Sequence, residues 1–141
     1  MPKVVLERQD KIKALAFGYM HKDPNDLFFP VAVATSEQSI YIYRDDVAND
    51  FNGDSYSYKI RKLINHDDID FIYHETYRSN LEYRDYGRIS IIFKNNKEEN
   101  LDICYRKEDK AEILGLLKEL RGYGVKTKHR SINKKPLFLI Y

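Results

Sequence analysis

The chain has no tryptophan, one cysteine, four prolines and six glycines, and it holds no long apolar run. Each shortage excludes something. With Cys104 alone, no disulfide can form within the chain, which suits a reducing compartment. No run approaches the roughly 20 apolar residues of a membrane-spanning helix. The first residues, MPKVVLERQDKIK, carry neither the apolar core nor the small-residue cleavage site of a secretory signal. A cytoplasmic protein is expected. No phosphate loop, dinucleotide fingerprint or G-x-S-x-G elbow occurs, so the sequence offers no cofactor, no catalytic residue and no enzyme class.

What is present is aromatic and charged. There are 12 Tyr and 7 Phe among 141 residues, a usage that favours strands. The net charge is +2, unevenly spread. Between Arg121 and Lys135 lie six basic residues and no acid, leaving 18 basic against 22 acidic residues elsewhere. A length of 141 residues is most simply one domain.

Period-two alternation marks strands along most of the chain. KIKALAFGYM (11–20), LFFPVAVAT (27–35), IYIYR (40–44), YSYKIRKLI (56–64), a run from Ile69, RISIIFK (88–94) and LDICYR (101–106) all read this way. Pro30 lacks an N–H and belongs at an edge, a bulge or a strand start. In IYIYR, Ile40 and Ile42 share one face and Tyr41 and Tyr43 the other. Tyr56, Tyr58, Ile60 and Lys62 are expected on one face, and Ile69, Phe71 and Tyr73 on one face. HKDPND (21–26) and Asn52–Gly53 are turn signals. After Arg106 the period becomes helical, with apolar residues at 113, 114, 116, 117 and 120. Gly122 stands where a left-handed cap is wanted, and Gly115 suggests close approach of the helix to the sheet. GYGVKTKHRSINKK reads as a basic loop before LFLIY (137–141).

Short links imply antiparallel neighbours. The prediction is an α+β, mainly β protein: a curved antiparallel sheet closing as a barrel of about seven strands, capped by one C-terminal helix. Residues 1–121 form that unit. Residues 122–141 form a basic extension ending in a candidate strand, within the same domain. The same elements also suit an open α+β sheet, because register and closure are not written in alternation.

Three stretches carry a resemblance: VAVATSEQSIYIY (31–43), KIRKLINHDDIDFIYHE (59–75) and GRISIIFKNNKEENLDICYRKEDKAEILGLLKEL (87–120). Their order resembles the bacterial pleckstrin-homology-like domains over roughly residues 11–121. The resemblance implies a curved β-barrel capped by a helix and no shared catalytic activity. Lipid binding does not carry over, because no phosphoinositide motif is present.

Three regions are candidate sites. NHDDIDFIYHE (65–75) gathers His66, Asp67, Asp68, Asp70, His74 and Glu75. In an extended strand the two histidines stand about 26 Å apart. They cannot share a metal without a sharp bend, so the stretch is read as the start of a strand and no metal is expected. YRSNLEYRDYGR (77–88) interleaves rings and guanidinium groups. Arg78, Tyr83, Arg84 and Tyr86 suit a protein interface, although cross-strand Tyr pairs covered by Arg explain them structurally. Leu137, Phe138, Leu139 and Ile140 either add a strand or dock on a second copy. Lys126, Lys128, Arg130, Lys134 and Lys135 either solvate a tail or attract an anionic membrane surface; no motif supports nucleic acid. The expected role is a non-catalytic binding module whose partner is a protein or a second copy, with peripheral membrane binding as the alternative.

Overall fold

The computed structural model describes residues 3–21, 28–44, 51–52, 55–77 and 86–132. Its strands are β1 (Lys3–Leu6), β2 (Ala14–His21), β3 (Phe28–Thr35), β4 (Ser39–Arg44), β5 (Phe51–Asn52), β6 (Ser55–Asn65), β7 (Ile69–Tyr77), β8 (Gly87–Phe93), β9 (Leu101–Tyr105) and β10 (Thr127–Ile132). Among the described residues one α-helix, α1, spans Lys110–Gly122. No helix among the described residues is long and apolar enough to cross a membrane.

The strands lie in the order β1-β6-β4-β3-β2-β9-β8-β7-β10, with β5 paired to β6 off that path. β1 runs parallel to β6 and β10 parallel to β7; the other ladders are antiparallel. Among the described residues no ladder joins β1 to β10. The sheet is therefore mixed and open, which corrects the expected antiparallel barrel of about seven strands. The correction has a local cause. KVVL is only four residues long, and TKHRSI is too basic to show a buried face. Both pair in parallel with strands about 50 residues away in sequence, and such pairing leaves no turn signal.

The inner face of the sheet packs against α1. Ile113, Leu116, Leu117 and Leu120 meet Ala16, Val33, Ile40, Ile72, Ile89, Ile91 and Ile103. Each fully buried aliphatic chain contributes roughly 2 kcal/mol by leaving water. Leu114, expected in this stripe, is 43% exposed. Gly115 has nothing within 4 Å of where a Cβ would stand, so it does not bring helix and sheet together. The helix continues through Gly122, and the left-handed residue is Gly124, at φ +92°. Its N–H donates to Arg121 C=O, and Val125 N–H donates to Leu120 C=O, both at 3.0 Å.

A second, smaller core lies on the outer face. Ala32, Ala34, Tyr41 and Tyr43 pack there beneath Leu6, Ile12 and Leu15. Thus β4 is buried on both sides, with its isoleucines in one core and its tyrosines in the other. Tyr43 Oη donates to Glu7 C=O at 2.7 Å, and its burial pushes the phenol up to about 12. Pro30 pairs with Tyr19, one residue beyond the Val31–Arg44 pair that ends the β3–β4 ladder. Its missing N–H therefore interrupts no ladder to β4.

Two bulges shift the alternation. On β6, Ile42 pairs with Lys62 and Tyr43 with Ile60, so Arg61 is the extra residue. Lys62 therefore joins the face of Ile42, while Ile60 and Tyr58 join the tyrosine core. On β7, Ile69 pairs with Phe93 and Phe71 with Ile92, so Asp70 is extra. Ile72 and His74 are buried, while Phe71 and Tyr73 are half-buried on the other side. The expected groupings Tyr58–Ile60–Lys62 and Ile69–Phe71–Tyr73 are each split by a bulge.

Candidate functional site

The acidic and histidine-bearing stretch divides between two places. His66 lies in a single 3-10 turn, His66–Asp68, between β6 and β7. Its N–H donates to Gln38 C=O at 2.9 Å, and its Nε2 stands 2.9 Å from Thr35 Oγ1. Its ring stacks on Tyr123 at 5.7 Å. Burial lowers its pKa, partly opposed by Asp67. These bonds tie the start of β7 to the β3–β4 turn. His74 lies elsewhere, buried on β7 with Nε2 2.6 Å from Tyr105 Oη. Among the described residues no three His, Cys, Asp or Glu side chains gather as a metal site.

His74 is the register partner of His129 on β10, and their rings lie 5.0 Å apart. Burial first, then the charges of His129, Lys110 and Arg121, lower the His74 pKa to about 4. Burial also raises the Tyr105 phenol far above its usual range, with Tyr86 and Tyr77 adding to the shift. A neutral imidazole facing a protonated phenol is a stable buried pair, because each supplies what the other lacks. His129 Nε2 stands 3.2 Å from Thr76 Oγ1.

Of the residues expected to meet a partner, Arg78, Tyr83, Arg84 and residues 137–140 lie outside the described residues, as do Lys134 and Lys135. Tyr86 packs against Tyr105, and Lys110 Nζ sits 5.3 Å from the Tyr86 ring centroid. Lys126 immediately precedes β10, and Lys128 and Arg130 lie on it, all three exposed. Lys128 Nζ lies 4.0 Å from the Phe71 ring centroid. The basic segment is thus a strand, which corrects the loop expected there. Ile72 N–H donates to Lys126 C=O and Thr127 pairs with Ile72. In a parallel ladder this phase turns the backbone groups of Lys128 and Arg130 toward β7, and those of Thr127 and His129 away from it. Among the described residues no strand pairs with that outer edge.

This architecture has a known counterpart. The fold resembles an hSac2 domain. The solved hSac2 domain from the human phosphoinositide phosphatase Sac2 aligns over 89% of this chain and 78% of its own, with a TM-score of 0.53 and 9% identity. At that identity the likeness shows the fold alone. No protein-family model matches the sequence, and no curated protein is found similar to it. The resemblance to pleckstrin-homology-like domains is corrected accordingly: the structural likeness is to an hSac2 domain, and the sheet does not close into their barrel.

One feature escaped sequence reasoning. A cleft of about 360 Å³ opens where the inner core reaches the surface between β3, β4, β6 and β9. Met20, Phe29, Val31, Ile42 and Leu101 form its floor, and Arg44, Arg61 and Lys62 stand around it. Regular alternation would send Arg61 and Lys62 to opposite faces. The bulge at Arg61 brings both to one cleft. The run KIRK was the available signal, since a strand with three cations in four residues is unusual in a buried sheet.

Proposed function

We propose that this protein is a non-catalytic binding module that captures an extended, acidic segment of a protein partner along β10. One observation carries the reading: β10 is an edge strand whose Thr127 and His129 backbone groups face away from β7, on a segment bearing cations and no acid. An added strand takes affinity from main-chain hydrogen bonds and selectivity from alternate side chains. Lys128 and Arg130 would meet acidic side chains on one face of such a strand. Cations on an edge also discourage unselective pairing, so the charge that guards this edge is the charge that would select its partner.

The test is fluorescence anisotropy with a labelled peptide of alternating Glu and Val. Binding is expected, weakening as salt rises. His129→Pro, which removes an outward N–H while sparing the ladder to β7, should weaken it at least tenfold. Lys128→Glu with Arg130→Glu should do the same. Release of anionic vesicles by the charge reversals, with no peptide binding, would favour the membrane-surface alternative. Binding untouched by both variants would remove β10 from the account.

A further inference from the structure

The cleft beside Arg61 has a chemistry of its own, independent of β10. Its floor belongs to the inner core: Val31 and Ile42 are buried core residues, and Met20, Phe29 and Leu101 pack against them half-exposed. An apolar floor open to solvent is costly unless something covers it. Its rim is cationic. The Arg44 guanidinium lies 4.2 Å from the Phe29 ring centroid. Lys62 Nζ pairs with Glu98 and sits 5.9 Å from the Phe93 ring centroid. Arg61 is the bulge residue itself, and bulges recur where a strand must re-aim a side chain toward a site. Among the described residues no acid lines the cleft.

We propose that this cleft binds a free, single-chain anionic amphiphile, a medium-chain fatty carboxylate. Its alkyl chain lies on Met20, Phe29, Ile42 and Leu101, and its carboxylate meets Arg44, Arg61 and Lys62. The volume argues for one chain. It stands at the low end of the roughly 300–1,000 Å³ of small-molecule pockets, too small for the two chains of a phospholipid. The charge argues for an anion, and arginine pairs with carboxylate through two parallel N–H donors. Lys62 already holds a carboxylate, that of Glu98, so the ligand replaces an interaction of the same kind.

The experiment is calorimetric titration of the full chain with octanoate, decanoate and dodecanoate below their micelle concentrations. Affinity should rise roughly fourfold per methylene. Decanol should bind at least tenfold more weakly than decanoate. Arg61→Gln, at an exposed position, should keep the native amide spectrum and weaken decanoate about tenfold. Glu98→Gln should tighten it about threefold by releasing Lys62, a gain that misfolding cannot produce. Equal binding of decanol and decanoate would overturn the proposal, as would an affinity independent of chain length. So would binding of anionic phospholipid vesicles without any binding of free decanoate.

Discussion

Burial disfavours a charged His74, and His129, Lys110 and Arg121 beside it act in the same direction. The folded chain takes up this proton near pH 4, whereas an unfolded histidine takes it up near 6.5. Between those values the unfolded state holds more protons. Stability is therefore complete above pH 6.5 and declines as the pH falls toward 4, by about 3 kcal/mol at most. Urea midpoints measured from pH 7.5 to 4 should show that decline. His74→Phe should flatten it while lowering stability at pH 7; an unchanged slope would mean another group titrates. Gly18 tests packing at the same scale. A Cβ there would stand 2.5 Å from the Cys104 carbonyl oxygen, at the seam where Tyr19 pairs with Cys104. Because the obstacle is backbone, Gly18→Ala should cost about 1–3 kcal/mol in guanidinium unfolding.

Elements respond differently from residues. In α1, Gly115 is exposed with open space around it, so alanine adds helix propensity and meets nothing. Gly115→Ala should stabilise the protein by about 1 kcal/mol, read as a raised midpoint. A loss would mean the helix face there is occupied. β6 carries one supernumerary residue. Deleting Arg61 makes Ile60 and Lys62 consecutive, so plain alternation sends Tyr58 and Ile60 to the tyrosine core and Ile64 to the inner core, as the bulge does now. The deletion should therefore keep the fold and cost little more than Arg61→Gln, and circular dichroism during urea unfolding compares the two. A far larger loss would show that β6 needs the bulge itself and not only the pairing around it.

At the scale of the molecule, alternation revealed the seven strands β2, β3, β4, β6, β7, β8 and β9, and the helical spacing of Ile113, Leu116, Leu117 and Leu120 revealed α1. Three things stayed hidden for physical reasons. Parallel pairing of β1 and β10 joins distant segments and writes no local signal. The bulges at Arg61 and Asp70 change phase without changing residue type. The cleft depends on one of those bulges, so neither its floor nor its rim was a candidate. The basic segment was noticed by charge, but its strand form was not. The placement of β1 and β10 also bears on how the chain assembles. The inner hairpins β2–β3 and β3–β4 close over short separations, whereas each parallel edge must close a loop of about 50 residues first, a slower step. Backbone amides of β3 and β4 should then be the last to exchange with deuterium in the native state, and those of β1 and β10 the first. The sheet would grow from its middle outward, and β10, the strand proposed to capture a partner, would be the one most easily lent.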